Sequence, residues 1–427
     1  MIKNNPLLLS LFEWFQNLPD PRSRRKKAYD HAEILALLTI GILAGKVSLR
    51  RIRAVCEKNM EKIRRYMPLK NGIPSISTMS RMLSSIDTEL LCLSFMTWVG
   101  TYLDTRGRDI AIDGKGLRAG TRKIRGEKTP YILNAMDTET KLVVGQWPIN
   151  EKTNEAGALP EFLEMMQLDG STVTIDAIGT TGNIMEKLHQ VGAHFVLQVK
   201  KNCPALYKEI MDLFEGLEEE KKEDAEAFQK KYGEFCSEYK PGLEVNRERK
   251  EYRRVMEYHE PEGIKAFQEE RPYIKCVGKS WQVRVEKIVD SEGNDVTPCL
   301  KEFLKKGSEK QPLPKEGDGM NDTIQCAGII SDTVLSAEEL ARIKRRHWLI
   351  EGSLHGVLDG AMGEDKSKVK NGREALSVLR KCAYNIARIL QRIKYNTEKL
   401  MVDIFDEITE DLSLGMKYLF KSVPLIK

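Results

Sequence analysis

The chain has 427 residues, of which 41% are hydrophobic and 31% charged, and it carries a net charge of +5. This composition predicts a globular protein of two or three domains and excludes a largely disordered chain, a collagen and a coiled-coil rod. The longest apolar stretch, residues 34–45, is shorter than the roughly 20 residues of a membrane-spanning helix, and the N-terminal residues lack the pattern of a secretory signal. We therefore expect a soluble protein.

The first 100 residues are predicted to be helical and basic. Apolar residues recur at helical spacing in segments 6–18, 31–43 and 49–67. The first 70 residues contain fifteen Lys and Arg against six Asp and Glu, a net charge of +9, so the remainder is net negative. This asymmetry indicates a polyanion partner, and a solvated basic surface is the alternative. The turn at 72–75 and a helix over 78–84 fit either a helix-turn-helix reader of DNA or an ordinary helical hairpin.

Short strands and helices alternate after residue 108. The predicted strands are 109–113, 131–137, 141–148, 171–176 and 193–200, and the predicted helices are 154–166 and 183–191. The order β-β-β-α-β-α-β combines one antiparallel hairpin with two crossovers. It predicts an α/β fold in which a ribonuclease-H-like mixed sheet is flanked by helices.

Residues 203–330 interrupt this order with a mostly β insertion subdomain. It contains a charged helix over 218–231, strands at 251–258, 273–279 and 282–289 that form a small antiparallel sheet, and a flexible loop over 305–322. A strand over 323–331 and helices over 336–358 and 372–394 follow. The predicted domains are a helical domain over 1–100, an α/β core over 105–202 and 331–395, the insertion over 203–330, and a tail over 396–427.

The eight cysteines are irregularly spaced and form no CxxC pair. In a chain without an export signal, such spacing is typical of buried thiols in a reducing compartment and gives no support to a zinc site.

Three acidic residues stand where the predicted sheet would bind a ligand. Asp113 and Asp176 end two strands that are parallel neighbours in this topology, so both carboxylates emerge at the edge where open α/β sheets bind ligands. Glu351 lies on the helix after the insertion, which would pack beside that edge. Carboxylates grouped in this way bind Mg²⁺ or Mn²⁺, and two such ions promote phosphodiester cleavage. Helix caps and surface ion pairs are the alternative explanation for aspartates at strand ends.

The sequence around these acids resembles the DDE transposases of the H-repeat-associated type, which are enzymes of bacterial insertion sequences. The resemblance lies in residues 112–118 (IDGKGLR), 151–155 (EKTNE), 174–179 (TIDAIG) and 347–359 (HWLIEGSLHGVLD), the last followed by Glu364 and Asp365. Residues 18–22 (LPDPR) and 72–75 (GIPS) resemble that family's amino-terminal associated domain. The resemblance extends from about residue 10 to residue 395.

The resemblance implies a ribonuclease-H-like catalytic core that cleaves DNA and transfers strands at terminal inverted repeats. Asp113, Asp176 and Glu351 correspond to the catalytic and metal-binding acids, with Mg²⁺ as cofactor and Mn²⁺ as a substitute. The implied partners are double-stranded DNA and a second copy of the chain on that DNA, in the nucleoid of the bacterial cytoplasm. A domesticated or inactive DNA-binding protein and a simple ribonuclease-H-like nuclease are the alternatives.

Five residues near these motifs are candidate DNA contacts. Lys115 and Arg118 follow the first aspartate, where a phosphate backbone must pass, and a solvated loop is the alternative. Lys152 and Asn154 either position the substrate or begin a helix that Asn154 caps. Lys200 either reaches a phosphate or is an ordinary surface lysine.

Two histidines share a helix face with Glu351. His347 and His355 lie four residues before and after it. They either orient the carboxylate, contact DNA or bind a metal, or they are hydrogen-bonded histidines packed beneath the site. Trp348 is expected in the core.

Overall fold

A computed structural model of the chain describes residues 9–22, 27–118, 129–149, 154–246, 249–286 and 323–426. The chain divides into two units, each built from separate segments. Unit 1 comprises residues 1–173, 190–193 and 346–427, and unit 2 comprises residues 174–189 and 194–345.

Unit 1 begins with a group of short helices. They are α1 (Leu11–Asn17), α2 (His31–Leu43), α3 (Leu49–Lys58), α4 (Met60–Ile63), α5 (Ile76–Ser85) and α6 (Thr88–Gly100). The apolar stretch of the sequence forms α2, which is almost wholly buried, as expected for a core helix. The single helix predicted over 49–67 is interrupted at Asn59, whose backbone leaves the helical region. Helix α5 begins two residues before the predicted start because Ser75 caps it by accepting the Thr78 N–H.

Three antiparallel strands of unit 1 follow, and a fourth begins beside them. They are β1 (Asp109–Gly116), β2 (Tyr131–Asp137) and β3 (Val143–Ile149), in the order β3-β2-β1-β4, where β4 is Thr172–Ile175 and α7 is Glu155–Met165. The Thr172 N–H at the start of β4 donates to the Arg108 carbonyl oxygen just before β1. The predicted neighbours β1 and β4 are therefore confirmed. The chain passes into unit 2 within β4.

Unit 2 continues with a larger set of strands. Its elements are α8 (Gly182–Gln190), β5 (His194–Val199), α9 (Pro204–Glu223), α10 (Ala225–Tyr232), β6 (Cys236–Tyr239), β7 (Leu243–Asn246), β8 (Arg249–Tyr258), α11 (Pro261–Gln268), β9 (Cys276–Glu286), β10 (Thr323–Ser331) and α12 (Ala337–His347). The strand order is β4-β5-β10-β9-β8-β6, and β7 also pairs with β8. Val196, Cys276, Ile329, Leu340 and Ile343 belong to its hydrophobic core.

The elements of residues 203–330 differ from the prediction in three ways. The antiparallel strands do not form a separate sheet, because β10 pairs with β5 on one side and with β9 on the other. The two strands predicted over 273–289 are one strand, β9, whose pairing with β10 is unbroken. The predicted helix over 218–231 is two helices that meet at Asp224, which caps α10. The loop predicted over 305–322 lies outside the described residues.

The C-terminal part of unit 1 is helical. A π-helical segment (Ile350–His355) leads into α13 (Gly356–Asp359), and α14 (Arg373–Tyr395), α15 (Met401–Glu410) and α16 (Leu412–Phe420) follow. The single helix predicted over 336–358 is therefore interrupted by a π turn. Helix α14 packs on α2 in unit 1, and all of its residues from 375 to 391 are buried.

Two further expectations concern the chain as a whole. Among the described residues, no helix combines the length and apolarity that a membrane crossing requires. Seven of the eight cysteines lie in the described residues and are free thiols, and Cys299 lies outside them.

Candidate metal centre

Strand β1 supplies the first acidic side chain of the centre. Buried Ile110, Ala111 and Ile112 anchor the strand, and Asp113 follows them, paired across the ladder with Asn134 of β2. The Asp113 Oδ1 atom accepts the Gly114 N–H at 2.9 Å. The prediction that Asp113 ends its strand is wrong, because the pairing of β1 with β2 continues beyond it to Gly116. The carboxylate lies within the strand and remains mostly shielded from solvent.

The π-helical segment supplies the other two candidate ligands, Glu351 and His355. The Nδ1 atom of His355 lies 3.5 Å from Asp113 Oδ2 and 3.6 Å from Glu351 Oε2. One donor atom from each of the three side chains lies within 4.8 Å of the other two. Segments with π-helical bonding are frequent at functional sites because the wider turn re-aims side chains. Two carboxylates and an imidazole at this separation could together hold a divalent metal ion.

The side chain of Asn134 orients the imidazole ring of His355. This fully buried side chain approaches His355 Nε2 with its Nδ2 atom at 3.3 Å. In that arrangement Nε2 accepts the hydrogen bond and Nδ1–H donates towards the two carboxylates. The Asn134 Oδ1 atom is buried and has no hydrogen-bond partner in the described part of the chain. Rotating the amide would present Oδ1 to Nε2–H and free Nδ1 to bind a metal ion, so the donor set fits such an ion.

The carboxyl groups of Asp113 and Glu351 have pKa values that are shifted in opposite directions. Burial, together with the adjacent Glu351 carboxylate, raises the pKa of Asp113 well above the usual range of an aspartate. The neighbouring His355 lowers the pKa of Glu351, which stays ionised. A divalent cation would remove this asymmetry, because its charge favours the ionised form of both groups.

Two more carboxylates lie close to the centre. Lys115 donates to Asp359 Oδ2 at 2.6 Å, and Lys115 is 9% exposed. The Glu155 carboxylate covers Gly114, so that a methyl group added to that glycine would overlap it. The adjacent Asn154 caps α7 by accepting the Gly157 N–H. Asn134 lies outside the motifs of the resemblance, whereas Glu155 ends the EKTNE motif and Asp359 ends the HWLIEGSLHGVLD motif.

Asp176 and Lys200 lie in unit 2 and form a pair there. Asp176 follows β4, and its Oδ1 atom accepts the Ala177 N–H at 2.7 Å. The Lys200 ammonium donates to the same oxygen atom at 2.8 Å. The lysine predicted to reach a phosphate is therefore placed against the second acidic residue of the motif set.

The remaining candidates are placed individually. Lys152 lies outside the described residues, Arg118 is exposed, and His347 is buried. The expectation that Trp348 lies in the core is wrong, because its side chain is 49% exposed. Ile350 and Leu354 occupy the buried side of this helical turn instead.

Comparisons with known proteins agree with the sequence resemblance. Residues 104–386 match the family described as Transposase DDE domain, and residues 12–99 match the family described as DDE_Tnp_1-associated. The protein "Putative transposase YncI" of Escherichia coli O157:H7 is 28% identical over 396 residues, covering 90% of this chain and 89% of that protein. "H repeat-associated putative transposase YhhI" of Escherichia coli strain K12 is 28% identical over 386 residues, covering 89% and 90%.

Among solved structures, a piggyBac transposase synaptic complex with hairpin DNA aligns with a TM-score of 0.38 and 9% identity, covering 96% of this chain and 80% of that chain. That score is too low to define the fold. The family matches cover most of the sequence, including Asp113, Asp176 and Glu351. The chain belongs to the DDE transposase family, in the group that contains the H-repeat-associated proteins.

Proposed function

We propose that the chain is a metal-dependent transposase that cuts DNA at the terminal inverted repeats of its own mobile element and joins the freed ends to a target. The observation that carries this proposal is the convergence of Asp113, Glu351 and His355 within 4.8 Å in a chain of the DDE transposase family. A bound Mg²⁺ or Mn²⁺ would polarise the scissile phosphate and activate a water molecule.

Asp176 is proposed as the third acid of the catalytic set. Its support is its place directly after β4, beside β1 in the strand order, together with the TIDAIG motif around it. The ribonuclease-H-like core belongs to the same proposal, with β3-β2-β1-β4 as its antiparallel hairpin, first strand and next strand. Lys200 would neutralise Asp176 until a cation replaces its ammonium group.

The proposed reaction has two balanced steps. Water attacks the phosphorus at the element end, the P–O3′ bond breaks, and the departing oxygen takes up a proton to become a 3′-hydroxyl. That hydroxyl then loses its proton and attacks a target phosphodiester: a new P–O bond forms, the target's own P–O3′ bond breaks, and the departing target oxygen takes up a proton. Asp113 and Glu351 would hold the cation in both steps, and the strand and helix that carry them would supply the fixed geometry on which rate depends.

Double-stranded DNA is the proposed partner, bound by two copies of the chain so that both element ends are held together. The exposed Arg118 and the basic N-terminal helices support contact with phosphates. In a bacterial cell this work would take place in the cytoplasm, at the nucleoid. The DNA contacts predicted for Lys152, Asn154, Lys200, His347 and His355 stay predictions.

A strand-nicking assay tests the proposed function. A duplex that carries the element's terminal repeat and a duplex with that repeat scrambled are each incubated with Mg²⁺ or with EDTA. We expect Mg²⁺-dependent nicking at the repeat boundary only, and its loss in Glu351→Gln. Repeat binding without nicking would favour a domesticated DNA-binding protein. Equal nicking of both duplexes would favour a simple nuclease.

A further inference from the structure

Strand β1 and the helical segment 346–359 run side by side in unit 1, and polar pairs join them at three levels. Asp109 accepts from Arg346, whose Nη1 lies 3.1 Å from Asp109 Oδ2. The Asp113 Oδ2 atom lies 3.5 Å from His355 Nδ1, and the Lys115 ammonium group donates to Asp359 Oδ2 at 2.6 Å. The three strand positions are separated by even numbers, so that they lie on one face of β1.

The spacing of these pairs is the same on both elements. Four residues of strand span about 13 Å, and the nine residues from Arg346 to His355 span about 13 Å of helix. Two residues of strand span about 6.6 Å, and the four residues from His355 to Asp359 span about 6 Å. The strand and the helix therefore keep one register from Asp109 to Lys115.

The charges of the outer pairs specify that register. The first pair has its anion on the strand, and the last pair has its anion on the helix. A shift of the helix by one turn towards the C-terminal end of β1 would place His355 opposite Lys115 and Glu351, in place of His355, opposite Asp113. The outer pairs would then lose their partners, and a partly buried charge without a partner is costly.

We propose that Asp109–Arg346 and Lys115–Asp359 are positioning pairs that hold His355 and Glu351 beside Asp113, and that Lys115 serves the metal centre and not the DNA backbone. The inference rests on the proposed metal-dependent function. Lys115 is buried and its ammonium is held by Asp359, so it is not presented to a phosphate as the exposed Arg118 is. Its DNA contact, expected from the sequence, is replaced by this role in the proposal.

The test separates cation binding from DNA binding. Mn²⁺ is titrated into DNA-free protein and free Mn²⁺ is followed by electron paramagnetic resonance. DNA affinity is measured in EDTA with a labelled duplex at several salt concentrations. The variants are Lys115→Met, the charge swap Lys115→Glu with Asp359→Lys, and Arg118→Met as the matched control.

We expect Lys115→Met to weaken Mn²⁺ binding about tenfold, as outer-shell changes do, and to leave DNA affinity within about twofold. The charge swap should restore Mn²⁺ binding to within about threefold of the unmodified chain. Arg118→Met should weaken DNA binding and leave the Mn²⁺ affinity unchanged. If Lys115→Met does not fold, Asp359→Asn carries the same expectation at a more exposed position.

Two results would overturn the inference. One is a Lys115→Met protein with unchanged Mn²⁺ affinity, and the other is weakened DNA binding with a salt dependence shallower by about one. Failure of the proposed function has a different signature: the unmodified chain would bind Mn²⁺ no better than Asp113→Asn.

Discussion

Asp113 is a carboxyl group in a place where ionisation is costly. Burial and the neighbouring Glu351 raise its pKa, so at neutral pH the metal-free centre keeps a proton on it. Glu351 stays ionised beside His355. If the proposed cation binds there, it would replace this proton.

Cation binding is predicted to release this proton. Because a cation requires the ionised form of Asp113, Mn²⁺ affinity should rise as the pH increases above the usual range of a carboxyl group and should level off once Asp113 is ionised without metal. Titration calorimetry in buffers with different ionisation enthalpies measures the released proton. A binding heat that does not depend on the buffer would contradict the prediction, and Asp113→Asn is the control.

A second group of buried charges lies on and beside α14. Glu364 is paired with Arg380 at 3.5 Å and with Lys381 at 3.8 Å, and all three side chains are buried. Burial alone would raise the pKa of Glu364, but the two cations outweigh it and lower that pKa. From their residue types alone, Arg380 and Lys381 would be expected on the exposed side of a helix. Their burial depends on a carboxylate from a distant segment, which periodicity does not reveal.

Glu364→Gln is predicted to destabilise the protein by about 3 kcal/mol, because two buried cations lose their counter-charge. Denaturant unfolding at neutral pH measures the loss. The difference should shrink as the pH falls below the usual range of glutamate, since the stabilisation by a carboxylate with a lowered pKa is lost on protonation. Asp365→Asn, the same change at the exposed neighbour, should change stability by less than about 1 kcal/mol, and an equal loss in both variants would refute the argument.

At the scale of elements, the beginning of α14 lies in close contact with α5. Gly372 has a φ of +72°, and a methyl group there would overlap the backbone carbonyl oxygen of Leu83 in α5. This glycine is required both for its backbone conformation and for the close approach of the two helices.

Gly372→Ala is therefore predicted to cost about 2–3 kcal/mol of unfolding free energy. A thermal melt measures it as a lowered Tm. Gly100→Ala, at the end of α6, has open space around it and ordinary φ, and should leave Tm nearly unchanged. A Gly372→Ala protein with the Tm of the unmodified chain would show that α5 and α14 do not approach as described.

The spacing of apolar residues in the sequence predicts most of the helices and strands well. The order β-β-β-α-β-α-β and the buried α2 followed from local patterns of apolar residues and are confirmed. The break at Asn59 and the π turn at 350–355 were not predicted from the sequence. Both are changes of backbone geometry, and the spacing of apolar residues does not reveal them. Two strands were predicted where the structure has the single strand β9. Strand β9 is continuous because it pairs with β10, which lies far away in the sequence.

At the scale of the whole molecule, motifs and strand ends located the candidate acids, and the structure brings two of them together with His355. Asn134, which orients His355, comes from a segment far away in the sequence and was not predicted. The inclusion of Asp176 is supported by the TIDAIG motif and by its position directly after β4. We propose that the reaction requires Asp176 together with Asp113 and Glu351.

The most direct test is a mutant cycle in the nicking assay, with Mg²⁺ and the repeat-bearing duplex. Asp176→Asn, Asp113→Asn and the double variant are compared with Asp212→Asn, an exposed aspartate of unit 2. Residues that act as a unit show non-additive losses, so we predict that each single variant loses at least about a thousandfold in rate and that the double variant is no slower than either. Nicking by Asp176→Asn at the rate of Asp212→Asn would contradict the account.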